Sequence, residues 1–243
     1  MSHPQQPNSS PQSPSARRSD AGKIRLQPRD VDGLVILAEQ YAAPYDLLAQ
    51  RLGVTEDRLR GITARWRDAG LAATGRLAVG PTWCWLTPAG MRQVGHNWAA
   101  DPPPLARLAH IRAVLAARIW IESGEAWKAY RGWWRCERRI RDGRPAAGQP
   151  HRPDAEIMWP SIQGSPRAGE TWCLEVELTP KASMVTQQII SGLLAGPYAR
   201  IMYLCAPAAL PVVTRAANKF RPEQAARLFI REIHPAALMP RAA

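Results

Sequence analysis

Three consecutive prolines follow Asp101, and the run Asp101-Pro-Pro-Pro104 constrains the fold of this 243-residue chain more than any other feature. Each proline fixes φ and lacks an N–H, so neither a helix interior nor a central strand can pass through the run. It is a stiff break, and the chain is expected to organise as two units around it, with 101–104 as the linker. The length suits one large domain or two small ones. A hydrophobic fraction of 46% excludes wholesale disorder. The longest apolar stretch, Leu193 to Val213, is interrupted by Gly196, Arg200 and prolines, so no membrane span and no membrane partner is expected. The N-terminus lacks the apolar core of a signal peptide, which makes the cytoplasm the expected compartment.

Residues 1–27 are rich in Pro, Ser, Gln and Asn and read as a disordered tail; 236–243 read as a second one. From Pro28 the pattern turns helical, with Val31, Leu34, Val35, Leu37 and Ala38 at spacings of three and four. Pro44 opens a second, short helix that Gly53 ends, and Thr55 caps a third helix over Glu56 to Asp68, stopped at Gly70. A short helix, a glycine turn and a longer helix make the helix-turn-helix pattern. Leu71 to Thr87 then reads as a hairpin about Gly80-Pro81, followed by a helix from Pro88. Residues 28–100 therefore resemble a winged helix-turn-helix domain of bacterial regulators.

Of 32 basic residues only four are lysine, and the formal net charge is +12. Guanidinium meets phosphate with two parallel hydrogen bonds, so an arginine surplus suits a nucleic-acid partner. A GC-rich genome yields the same surplus with no ligand. Placement bears on the choice. Arg58, Arg60, Arg65 and Arg67 fall on the third helix, the recognition helix of the pattern, and Arg76 on the wing. Positions 58 and 65 lie two turns apart on one face, with Leu59, Ile62 and Trp66 roughly opposite. Two readings stand at this point: a DNA-contacting face, or a solvated face on a unit that dimerises or packs on its neighbour.

Beyond the prolines, Leu105, Leu108, Ile111, Leu115 and Ile119 mark one face of a long helix, a face expected to be covered by a sheet. Pro153 to Trp159 and Thr171 to Leu178 read as strands about a polar turn at 161–169. Alternation puts Glu175 and Glu177 on one face of the second strand, and Asp154 and Glu156 on one face of the first. In matching register, three or four carboxylates converge at one edge. Such crowding is relieved by a hard divalent cation, which takes oxygen ligands and activates water toward phosphorus. An ordinary hairpin with a solvated acidic face produces the same pattern. A strand at Arg200 to Cys205, a helix at 209–220 and a strand at 226–233 complete an α/β (α+β) core with a mixed sheet.

Pro153-Asp154 followed by Glu175-Val-Glu177 resembles the motif of the PD-(D/E)XK nuclease superfamily. The longer phrases Trp134-Arg-Cys-Glu-Arg-Arg, His151-Arg-Pro-Asp-Ala and Leu174-Glu-Val-Glu-Leu-Thr-Pro-Lys181 resemble the replication-relaxation family of actinobacterial plasmids and integrative elements, over about Pro28 to Ile233. The resemblance implies a winged helix ahead of a nuclease-like domain at 105–235. It makes Glu137 the acidic residue on or beside the first core helix, Asp154 and Glu175 metal ligands, and the Val176 carbonyl a third ligand. It implies Mg²⁺ or Mn²⁺ as cofactor, DNA as substrate, and replication or transfer proteins as further partners. Glu177 stands where the superfamily usually has lysine, a departure that bears on catalysis. Lys181 is the candidate substitute, expected in the first turn of a helix capped by Thr179 and opened by Pro180. Gln187 or Gln188 resembles a glutamine placed near the site in some branches.

Other residues read less sharply. His151 suits proton transfer or phosphate contact but has no paired nucleophile, and His110 reads as a core residue of the long helix. Four dispersed cysteines (84, 136, 173 and 205) fit reduced, buried thiols rather than a zinc site or disulfides. Trp120, Trp127, Trp133 and Trp134 are expected to pack between helix and sheet, with base stacking as the alternative. Arg135, Arg138, Arg139, Arg141 and Arg152 are expected around the acidic cluster. Three functions are open: a metal-dependent DNA nuclease of a mobile element, a catalytically inert DNA-binding accessory factor, and a winged-helix transcription regulator. A homodimer is consistent with each.

Overall fold

A computed structural model describes residues 25–143 and 151–233; the tails expected at 1–27 and 236–243 lie outside the described residues, apart from 25–27. The described residues form a mixed α/β structure with one three-stranded and one five-stranded sheet.

The first half opens with α1 (Pro28–Gln40), whose proline sits where no helical N–H is needed, while the Asp30 carboxylate accepts the Gln27 N–H at 2.8 Å. Next come β1 (Ala43–Pro44) and α2 (Tyr45–Leu52), which ends at Gly53 with φ 63°. Helix α3 (Glu56–Asp68) is capped by the Thr55 hydroxyl, which accepts the Arg58 N–H at 3.3 Å. Strands β2 (Ala72–Gly75) and β3 (Trp83–Leu86) pair antiparallel, β1 joins the other side of β3, and α4 (Pro88–Gln93) follows under the Thr87 cap. Leu59, Ile62 and Trp66 of α3 are buried, as the spacing predicts.

The second half begins at a 3₁₀ turn (Leu105–Arg107) and α5 (Leu108–Ser123), then α6 (Glu125–Tyr130), β4 (Trp133–Cys136) and α7 (Glu137–Asp142). Strands β5 (Ala155–Met158) and β6 (Thr171–Glu177) lead through α8 (Ser183–Ala195) to β7 (Arg200–Cys205). Helices α9 (Leu210–Ala217) and α10 (Pro222–Ala225) precede β8 (Leu228–Glu232). The sheet order is β4-β5-β6-β7-β8, antiparallel from β4 to β6 and parallel from β6 to β8. Helix α8 supplies the crossover that a parallel β6–β7 pair requires.

The large aliphatic face of α5 does not cover this sheet. Leu115 and Ile119 join the core of the first half, Leu108 and Ile111 pack with Ala42 and Trp83, and Leu105 is exposed. The sheet is instead met by the small side chains Ala113 and Ala117 together with Val114. Helix α5 thus belongs to both cores.

Buried charges reinforce the seam. Arg118 bonds Glu39 and Glu122 at 2.7 Å each, and Arg139 bonds Glu39 at 3.0 Å. Arg138 donates to the carbonyls of Ala38 at 2.9 Å and Ala99 at 2.7 Å and lies 3.9 Å over the Tyr41 ring. Arg138 and Arg139 therefore do not line the acidic cluster as expected; β4 and α7, invisible in the sequence pattern, turn them to the first half. All four cysteines are buried free thiols, and among the described residues no helix is long and apolar enough to cross a membrane.

Candidate functional site

Antiparallel pairing sets Ala155 beside Leu174, and the same register continued one step puts Asp154 level with Glu175. Asp154 is fixed at three points. Its N–H donates to the Leu174 carbonyl at 3.0 Å, its Oδ2 accepts the Val176 N–H at 2.8 Å, and its Oδ1 lies 2.8 Å from Nε2 of His110 on α5. Glu175 is buried, and its Oε1 lies 3.0 Å from Nε2 of His151. Burial, with the Asp154 charge adding to it and His151 opposing, pushes the Glu175 carboxyl up to about 7.

Both histidines are raised above their ordinary value. Burial, the largest single influence, pulls each imidazole down, but the bonded carboxylate outweighs it: Asp154 for His110, Glu175 for His151. Sequence reasoning puts His110 in the core and offers His151 for proton transfer or phosphate contact, but pairs neither with an acid. A lone histidine on a helix and another before a strand carry no spacing signal; only the fold brings them onto the acids.

The remaining candidates sit around this pair. Glu177 bonds Lys181, and the Lys181 charge is felt at Glu175. Lys181 precedes α8, which starts at Ser183 with Ala182 as N-cap, so the Thr179-capped helix is not formed and Lys181 reaches back to Glu177 from the segment before the helix. Glu137 is the first residue of α7 rather than part of α5; its N–H donates to the Asp154 carbonyl, and its carboxylate takes Arg107 at 2.9 Å and the Tyr41 hydroxyl at 3.1 Å. A cavity of about 20 Å³, the size of one water, lies between Glu137, Asp154, His110 and Arg107. Glu156 does not join the cluster as expected, bonding the Tyr198 hydroxyl at 2.8 Å and Arg135 at 3.2 Å. Gln187 accepts from Lys219 at 3.5 Å, and Gln188 is exposed.

Donor chemistry suits a hard cation in part. Asp154 and Glu175 offer oxygens side by side, and the burial that chiefly raises the Glu175 carboxyl, with the Asp154 charge adding to it, is a cost that a bound cation would offset. Among the described residues, however, no group of three or more His, Cys, Asp or Glu is arranged to hold a metal.

The arginines of α3 divide. Arg58, Arg60, Arg65, Arg67 and Arg76 are all exposed. Arg65 is drawn to buried Asp30 at 3.1 Å, Arg60 to Asp57 at 3.4 Å, and Arg67 to the Thr74 hydroxyl at 3.3 Å. Among the described residues no carboxylate pairs with Arg58 or Arg76. Of the expected 58–65 face, Arg58 keeps the free charge and Arg65 is partly structural.

No family model, curated protein or solved structure matches the chain.

Proposed function

We propose that the chain is a DNA-binding protein in which a winged helix-turn-helix unit, residues 28–100, docks α3 and the β2–β3 turn on duplex DNA. The five-stranded unit is a PD-(D/E)XK-type core that hydrolyses phosphodiesters, in keeping with the resemblance to the replication-relaxation family of mobile elements. The order β1-β3-β2 beside helices α1 to α4 supports the first part, and exposed Arg58 and Arg76 would supply phosphate contacts. The observation that carries the second part is the side-by-side placement of Asp154, directly before β5, and Glu175 on β6, behind a helix and ahead of a parallel crossover.

Asp154, Glu175 and the Val176 carbonyl would hold Mg²⁺ or Mn²⁺, which when bound supplies Lewis acidity and a more acidic water. The chain's own groups do the rest. The Val176 N–H and His110 orient Asp154, His151 holds a proton against Glu175, and Lys181 places a positive charge beside Glu177.

A second reading, the inert accessory factor, is favoured by one observation: each acid already has an internal partner. His110, His151, Lys181 and Arg107 lie in bonding contact with Asp154, Glu175, Glu177 and Glu137 in turn. Incubation of supercoiled plasmid with the full chain and Mg²⁺ or Mn²⁺, beside Asp154→Asn and Glu175→Gln, separates the two. Nicking by the parent chain alone supports the nuclease. Plasmid that is bound but uncut, or cut equally by the variants, supports the inert factor.

A further inference from the structure

A second cleft lies on the α5 face of the sheet, at the opposite end of that helix from His110. Ten residues of helix separate His110 from Trp120, a rise of about 15 Å. The cleft has a volume of about 430 Å³, within the range of roughly 300–1,000 Å³ typical of small-molecule sites. Its floor is Trp172, Met202 and Phe229 on β6, β7 and β8, and its walls are Trp120, Trp127 and Trp159. Three of the indoles form an edge-to-face chain, Trp127 to Trp159 at 5.9 Å and Trp159 to Trp172 at 5.4 Å. Trp120 is left 48% exposed.

Three arginines border the cleft. Arg167 lies over the rings of Trp159 and Trp172 at 4.9 and 4.7 Å, Arg200 over Trp172 at 5.4 Å, and Arg231 over Phe229 at 4.9 Å. A guanidinium stacked on a ring uses its face, and its N–H groups radiate from its edge. Among the described residues no carboxylate pairs with any of the three, and the one acid lining the cleft, Glu125, is bonded to Lys128 at 2.7 Å. Aromatic cages also bind cations, but here three fixed positive charges repel them. The chemistry selects a flat ring joined to an anion.

We propose that this cleft binds a nucleotide unit, its base stacked on indole and its phosphate on Arg167, Arg200 and Arg231. The unit has two sources, a free nucleoside monophosphate or an unstacked nucleotide of single-stranded DNA. The site is independent of the carboxylates and of α3.

Calorimetry and tryptophan fluorescence on the full chain would compare dTMP, thymidine and (dT)10. Parent chain, Arg231→Ala, Arg167→Ala with Arg231→Ala, and Arg58→Ala are each titrated. Arg231 is exposed, so its single variant keeps the test valid if Arg167 proves needed for folding. The expected result is dTMP binding at least tenfold tighter than thymidine, weakened at least tenfold by Arg231→Ala and unaffected by Arg58→Ala. Binding of (dT)10 but not dTMP, with the same loss in Arg231→Ala, assigns the site to the strand. The proposal is overturned if neither probe binds, if Arg231→Ala leaves binding intact, or if only Arg58→Ala weakens it.

Discussion

The guanidinium of Arg138 and the backbone carbonyl of Ala38 stand 2.9 Å apart, although a hundred residues of chain separate them. A cation from α7 thereby satisfies an acceptor at the end of α1. Arg138 is 3% exposed, so its loss leaves the Ala38 and Ala99 carbonyls without this donor and opens a void beside Tyr41 and Trp98. Arg138→Ala is expected to lower stability by about 3 kcal/mol. Urea unfolding followed by both far-UV and near-UV signals checks it, and the two signals should move together because the halves share a seam.

Gly90 offers a sharper steric test. A Cβ at this position would lie 1.9 Å from the Leu71 carbonyl oxygen, a backbone atom held where α4 crosses the start of the hairpin. Gly90→Ala must therefore displace main chain, at a cost of about 3 kcal/mol. Gly61, with open space around its Cβ position on α3, is the control: Gly61→Ala should stabilise the helix by about 0.5–1 kcal/mol. Melting temperatures of the two variants should shift in opposite directions.

The carboxylate–histidine pairs make stability depend on pH. His110 and His151 have raised values in the folded state, so their contribution is complete below the unfolded value near 6.5 and is lost as pH rises through the higher folded values. Glu175 acts in the same direction. Its folded value of about 7 exceeds the ordinary 4.5, so the fold holds this proton more tightly and loses stability as pH climbs from 4.5 to 7. In metal-free buffer the free energy of unfolding should fall by about 2 kcal/mol between pH 5 and 8. Glu175→Gln, which mimics the protonated acid, should flatten that profile.

The basic residues of the first half should separate by role. Arg58→Ala and Arg76→Ala should each reduce the salt slope of duplex binding by about 1 without altering the melting temperature. Arg65→Ala should lower stability by about 1 kcal/mol, because among the described residues Asp30 would keep only the Trp66 indole and the Gln27 N–H as partners of its side chain. Fluorescence anisotropy at several salt concentrations, paired with thermal melts, distinguishes the two groups.

Local chemistry made much of the fold legible. Pro28, Gly53, Thr55 and Pro88 mark helix ends by their own backbone preferences, and the structure starts or stops helices at those points. Leu174, Val176, Glu175 and Glu177 announce a strand by alternation alone. Features fixed by distant partners were not legible. The short strand Trp133–Cys136 shows no clean alternation and is defined by its ladder to Ala155–Met158. His110 gains its role from Asp154, 44 residues away. The aliphatic face of α5 was readable as a face, but what it meets depends on how the halves pack. Lys181 reaches Glu177 without the helical start predicted for it, because the helix begins only at Ser183.

Sharing α5 between two cores has a metrical consequence. A helix that carries Leu115 into one core and Ala113 into the other cannot let the halves swing independently, so the interval between α3 and Asp154 is set by the protein rather than by a tether. Whatever seats on α3 is therefore held at one fixed offset from the five-stranded sheet, as a gauge block sets a distance.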